Sequence, residues 1–208
     1  MHPAIQPGRV AVITGSASGI GLAAARAFAS KGLDVVVADL PGNLAAAAQS
    51  IKSDFPNIKV LPVETDVSQF SSLQSLKSKV DSEFKGKELG IVMFNAGVGK
   101  PSAPFAREEL DQPTLRENYE TMFNTNLWGV INGIQAFLPD LVKQTSPSAV
   151  ICTGSKQVFG LHLIARVSPI LPEILPTISL RRVSNSSPNL LPMTFEPIIP
   201  MLPLVSIF

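Results

Sequence analysis

Cysteine is almost missing from this sequence: Cys152 is the only one in 208 residues. One thiol cannot build a disulfide framework or a cysteine metal cluster, and such usage suits a reducing compartment. Charge is scarce as well. Charged side chains make up 16% of the chain, and 17 Lys and Arg stand against 16 Asp and Glu for a net charge of +1. That balance offers no electrostatic footprint for nucleic acid or for an anionic membrane surface. Every long apolar stretch is broken by proline, glycine or charge, so no segment reads as a membrane span. The first ten residues hold two prolines and no apolar run, unlike a secretory leader. The expectation is a soluble, cytoplasmic protein. Two further shortages matter below: Tyr119 is the only tyrosine, and no lysine follows Lys156.

What is present is a high hydrophobic share, 45%, enough for one domain with a real core. Up to about Ser155, apolar β-type runs alternate with helical patterns. Strands are expected at 10–14, 34–39, 60–64, 90–95 and 149–153, and helices at 19–30, 43–51, 68–84 and within 114–142. Strands that are apolar throughout and separated by helices indicate a parallel sheet covered on both faces. Right-handed crossovers make it a doubly wound α/β fold.

Between the first strand and the first helix lies Thr14-Gly15-Ser16-Ala17-Ser18-Gly19-Ile20-Gly21. Glycines let the backbone turn sharply and approach a pyrophosphate, while the helix N-terminus supplies N–H groups and a positive dipole end. The spacing is TGxxxGxG rather than GxGxxG, and here the chain resembles the classical short-chain dehydrogenase/reductases. That resemblance implies a Rossmann-like domain and a nicotinamide dinucleotide held by Gly15, Ser16, Ser18, Gly19, Ile20 and Gly21. Asp39, 18 residues after Gly21 at the end of the second strand, can accept both ribose hydroxyls and would repel a 2′-phosphate, which favours NAD over NADP. Asp66-Val67 looks like the family's adenine-contacting pair, although Asp66 alone reads equally well as the N-cap of the next helix. Asn95-Ala96-Gly97 resembles the family's motif that lies against the cofactor and steadies the sheet.

The resemblance also implies a proton-transfer site. Asn126, in Asn126-Leu127-Trp128-Gly129, matches the Asn that holds a water in the family's relay. Ser155 matches the Ser that hydrogen-bonds the substrate carbonyl. A Tyr about a dozen residues further on, with a Lys four later, completes the family's set, the ammonium lowering the phenol's pKa. In this chain Ser168 stands where the Tyr belongs and no Lys follows. Tyr119 lies before the fifth strand, four residues from Phe123, and reads as a packing residue. The catalytic pair is absent.

From Val158 to Phe208 the character changes, with eight prolines, five charged residues and neither helical nor strand period. An irregular tail, 158–208, is expected after a dinucleotide-binding domain, 1–157, that lacks the family's last strands and helices. Codon degeneracy offers a reason. If each true codon starts on the last base of the preceding one, residues 167–183 can spell GITNPPGNPAYN(L/I/F)SKAGV, and 185–204 a further family-like helix and loop. Joined directly after Gln157, that string puts a Tyr thirteen residues after Ser155 and a Lys four beyond it.

Three readings follow. An active dehydrogenase, passing hydride between the nicotinamide and a small alcohol or carbonyl compound, requires the shifted frame. A non-catalytic dinucleotide-binding protein requires the written chain to fold, and a non-functional fragment requires that it does not. The resemblance implies a homo-oligomer whose interface is incomplete in this chain, and a fifth strand left as an unpaired edge.

Overall fold

Short apolar runs rich in β-branched residues become the strands β1 (Val10–Thr14), β2 (Asp34–Asp39), β3 (Val60–Glu64), β4 (Leu89–Phe94) and β5 (Ser148–Cys152). The computed structural model describes residues 2–99, 112–154 and 164–167. The five strands pair in parallel in the order β3-β2-β1-β4-β5. Their side chains alternate between two cores. Ala11, Ile13, Val35, Val37 and Ile91 face α1 (Gly19–Ala29) and α2 (Leu44–Asp54). Val10, Val12, Val36, Val92 and Phe94 face α3 (Phe70–Glu83) and α5 (Gly129–Lys143). Burial on both sides is why these strands read as continuous apolar runs, each buried Val or Ile contributing about 1.5–3 kcal/mol. This is the doubly wound, Rossmann-like α/β sheet expected. No helix among the described residues is long and apolar enough to cross a membrane.

Two expectations need correcting. The helical stretch at 114–142 is not one helix: α4 (Gln112–Phe123) passes through a π-helical turn, Asn124–Trp128, before α5 begins. A π-turn holds an extra residue, so it rotates every later side chain relative to those before it. An unbroken apolar pattern does not reveal that slip. The outer edge of β5 is not bare either. Residues Ile164–Val167 form β6, antiparallel to β5, with Ser148 opposite Val167 and Ile151 opposite Ile164. This part of the tail is free of proline and brings the β-branched Ile164 and Val167, and an exposed edge is a template for such pairing. The tail is therefore not irregular at these four residues, and the sixth strand runs opposite to the rest.

One ion cluster ties the helices on the second face. Lys77 Nζ on α3 donates to both carboxylate oxygens of Asp81 at 2.6 Å and reaches Asp140 Oδ2 on α5 at 2.5 Å. Burial would lower the Lys77 pKa, but its bonds and charge contacts with Asp140 and Asp81 together outweigh this and hold it above 10.5. The bond from Lys77 holds Asp140 below its ordinary 3.8 against a smaller desolvation effect. A raised lysine stabilises fully below its unfolded value, and that contribution disappears as pH rises through the folded one. A lowered carboxylate stabilises above its unfolded value and loses this as pH falls through the folded one. Thermal melts of the chain and of Lys77→Met will therefore differ most between about pH 4 and 10.5 and converge at both extremes. A gap that stays constant into acid would dissociate Asp140 from the cluster.

Candidate active site

The order of the sheet reverses between β1 and β4, because β2 and β3 lie on one side and β5 on the other. Loops leaving adjacent strands in opposite directions open a crevice at their carboxyl ends, the place where open α/β sheets take ligands. Both loops at this crevice carry an expected motif, and the structure locks them together. Thr14 Oγ1, at the end of β1, accepts the N–H groups of Asn95 at 3.1 Å and Ala96 at 3.2 Å, just past β4. Asn95 Nδ2 donates back to the Gly15 carbonyl at 3.0 Å. Thr153, just past β5, donates from Oγ1 to Asn95 Oδ1 at 3.2 Å. Three neighbouring strand ends are thus joined by three side chains. Thr14 opens the TGxxxGxG motif, but neither it nor Thr153 shows this role in the sequence; a polar residue closing an apolar strand is the signal that could have found it.

This interlock explains two of the glycines. Gly15 has φ +65°, and a Cβ there would lie 2.6 Å from Ala96 Cα. At Gly21, in the first turn of α1, a Cβ would lie 2.1 Å from the Gly15 carbonyl oxygen and 2.6 Å from Asn95 Nδ2. Gly19 also has positive φ, but nothing lies within 4 Å of the Cβ position there. Gly21→Ala is expected to cost about 1–3 kcal/mol, the range for overpacking, read as a lower unfolding temperature. Gly19→Ala, which bears only conformational strain, will cost less. Were the two losses equal, close approach would not be what demands glycine at position 21.

The turn divides into an inward and an outward half. Ser16 is fully buried, and its hydroxyl donates to the Ile13 carbonyl at 2.7 Å while accepting the Ala38 N–H at 3.1 Å. Its side chain serves the join between β1 and β2. Ser18, Gly19 and Ile20 are exposed at the N-terminus of α1. Ser18 is the N-cap residue, with extended backbone at φ −155° and ψ 175°, and its side chain makes no capping bond. A helix N-terminus left uncapped at the sheet's crevice, on a turn whose glycines admit close backbone approach, fits an anionic pyrophosphate.

Asp39 closes β2 and reaches the same turn. Its Oδ2 accepts the Ala17 N–H at 2.8 Å and its Oδ1 accepts the Leu40 N–H at 2.8 Å. Beyond β3, Asp66 is not the N-cap of α3: that position is Gln69, and the helix starts at Phe70. Asp66 instead closes a tight turn, its Oδ1 accepting the Ser68 N–H at 2.9 Å and the Ser68 hydroxyl at 2.7 Å. Val67 next to it is buried in the second core.

Asn126 lies in the π-turn and grips the loop beyond β4 with both ends of its amide. Oδ1 accepts the Val98 N–H at 2.8 Å, and Nδ2 donates to the Val98 carbonyl at 2.9 Å. Gly97, the last residue of the Asn95-Ala96-Gly97 motif, lies against it: a Cβ there would be 3.3 Å from Asn126 Oδ1. Ser155 lies outside the described residues, as do Ser168 and the rest of the tail apart from β6. Tyr119 stacks on Phe123 with ring centroids 6.4 Å apart, a packing role. Cys152 is buried at the end of β5, and burial pushes its thiol up to about 11, so it stays neutral and acts as core.

Comparison with known proteins places this arrangement. The sequence profile of a family described as short chain dehydrogenase matches residues 9–162. Galactitol 2-dehydrogenase from Agrobacterium fabrum is 36% identical over 148 residues, 71% of this chain and 53% of that protein. Cis-4-hydroxycyclohexanecarboxylate dehydrogenase from Sinomonas cyclohexanicum is 37% identical over 112 residues, 54% of this chain and 43% of the relative. The chain thus spans about half the length of the curated relatives it matches. Among solved structures, a short-chain dehydrogenase/reductase from Burkholderia phymatum in complex with NAD superposes with a TM-score of 0.63 at 29% identity, covering 74% of this chain and 51% of that one. The L-sorbose reductase of Gluconobacter frateurii, complexed with NADPH and L-sorbose, gives 0.61 at 28% identity, covering 74% and 55%. A sheet that reverses between a TGxxxGxG turn and its Asn-Ala-Gly partner, matched by profile and by fold over most of its length, makes this chain a member of the short-chain dehydrogenase family.

Proposed function

We propose that residues 1–157 form the dinucleotide-binding part of a cytoplasmic oxidoreductase that prefers NAD to NADP and acts on a small alcohol or carbonyl compound. The observation that supports this most is the joining of the glycine turn to Asn95-Ala96-Gly97 across the crevice, with the N-terminus of α1 left uncapped beside it. Gly15, Ser18, Gly19, Ile20 and Gly21 would hold the pyrophosphate through backbone and helix dipole, with Ser16 keeping the turn on the sheet. Asp39 would hold the adenosine ribose, and Asp66-Val67 the adenine. The nicotinamide, when bound, supplies a hydride acceptor or donor at C4. Asn126 would hold a water of the proton relay, and Ser155 the reacting oxygen.

The chain has no Tyr-x-x-x-Lys pair after Ser155 to move the accompanying proton, so it binds the cofactor without turnover. Isothermal titration with NADH is the direct test. One saturable site, weaker for NADPH, is the expected result, and the absence of heat with either would overturn the proposal. The family's homo-oligomer would be completed only by the helices of the shifted frame.

A further inference from the structure

A polar side chain in the first turn of α5 has no place in that scheme. Asn132 is about nine-tenths buried, on a helix whose other inward residues include Phe137 and Leu141. Asn is a poor choice for a helix interior, and a buried amide is tolerated only where it is bonded. Here Nδ2 donates to the Val67 carbonyl at 3.1 Å and lies 3.4 Å from the Ser68 carbonyl. One turn earlier, Gly129 meets the same loop: a Cβ there would lie 2.7 Å from Val67 Cγ2 and 3.0 Å from Val67 Cβ. The glycine therefore leaves room for Val67 to seat against the helix, and the amide three residues on fastens its backbone.

We propose that Gly129 and Asn132 are positioning residues that set the Asp66–Ser68 loop, and through it the affinity for the adenine half of a dinucleotide. The inference rests on the reading that this loop faces adenine. Its physical basis is that the π-turn runs without a break into α5. Asn126, in the π-turn that leads directly into α5, grips Val98 in the loop after β4, while Gly129 and Asn132 grip Val67 and Ser68 in the loop after β3. The two loops belong to opposite sides of the sheet's reversal. A ligand spanning that reversal meets both at once, so their separation is preset by a rigid helix rather than organised at the ligand's expense. The loop also has a lateral anchor, since the Thr65 N–H donates to the Asp39 carbonyl at 2.8 Å. Moving it off α5 thus tilts the adenine side while leaving the glycine turn in place.

The test uses the full chain and two substitutions that reach the loop independently. Asn132→Leu keeps the side chain's size and removes its donor; Gly129→Ala drives a methyl group into Val67. Each is titrated with ADP-ribose, which carries the adenine, and with nicotinamide mononucleotide, which does not, and each is followed by hydrogen exchange. The expected result is about fivefold weaker ADP-ribose binding, the usual net worth of one hydrogen bond. Nicotinamide mononucleotide affinity stays within about twofold, and exchange rises only over 65–72. Should Asn132→Leu fail to fold, Gly129→Ala carries the test alone. Unchanged ADP-ribose affinity in a folded variant overturns the inference. So does an equal loss for both ligands with exchange rising across the sheet, which would mark a structural role only. If the unsubstituted chain binds neither ligand, the cofactor reading itself falls and this one with it, whereas loop-confined exchange would still report the clasp.

Discussion

Expressed as written, the chain will turn over no alcohol, aldehyde or ketone. With the eight codons Val158–Ala165 and the first two bases of the Arg166 codon removed, it will become an active dehydrogenase. The gain should be at least about a hundredfold, the low end of what a positioned acid–base group supplies. Codons supply the first reason. The bases that follow can restore a Tyr thirteen residues after Ser155 and a Lys four later, an ordered run of matches that free first bases do not produce by accident. Packing supplies the second. Phe123, Leu127 and Trp128 are all at least half exposed along α4 and the π-turn, and among the described residues the outer edge of β5 meets only the four antiparallel residues of β6. Restored strands and helices would cover that apolar surface and so raise soluble yield. Chemistry supplies the third. A phenol made more acidic by the neighbouring ammonium can give and take the proton that accompanies hydride transfer, while Ser155 holds the carbonyl oxygen. Both proteins are expressed side by side and screened against an alcohol panel with NAD. A transcript that does not encode Tyr-x-x-x-Lys in the shifted frame ends the explanation before any protein is made.

How far the fold was readable depended on range. The boundaries of β1, β2 and β3 follow from apolar runs closed by Thr14, Asp39 and Glu64, a pattern that needs no knowledge of neighbours. Helix ends were less legible. The helix expected from residue 68 starts at Phe70, because Asp66 bonds locally to Ser68 and leaves the cap position to Gln69. The π-turn was invisible, since Asn124–Trp128 has the same residue types an α-helix accepts and the extra residue shows only in the backbone. At the site, the TGxxxGxG turn and Asn95-Ala96-Gly97 were each recognisable, but the bond joining them spans 81 residues of chain. Asn132 was unreadable for the same reason: a single Asn in a helical pattern carries no sign that its partner is Val67, 65 residues earlier. Local chemistry is written locally. The interlocks that turn separate motifs into one crevice are written in the packing.

Replacing Asp39 will change two things at once, and the structure allows them to be separated. The unsubstituted chain is expected to bind NADH more tightly than NADPH, because a carboxylate at the end of β2 accepts ribose hydroxyls and faces a 2′-phosphate with like charge. Asp39→Ala removes that repulsion and also the Oδ2 that accepts the Ala17 N–H at 2.8 Å. Hydrogen bonds to a charged acceptor contribute about 1.5–3 kcal/mol, so NADH binding should weaken about tenfold to a hundredfold in the alanine variant. NADPH should gain less than the lost repulsion alone would give, because the turn that holds its pyrophosphate has lost a brace. Asp39→Asn divides the two effects. Its amide oxygen can still accept from Ala17 while the charge is gone, so it should keep more NADH affinity than alanine and gain more for NADPH. Titration of all three proteins with both cofactors reads the outcome. If asparagine and alanine behave alike, the bond to Ala17 contributes nothing to binding. If the unsubstituted chain already prefers NADPH, Asp39 does not face the ribose, and the NAD preference fails with it.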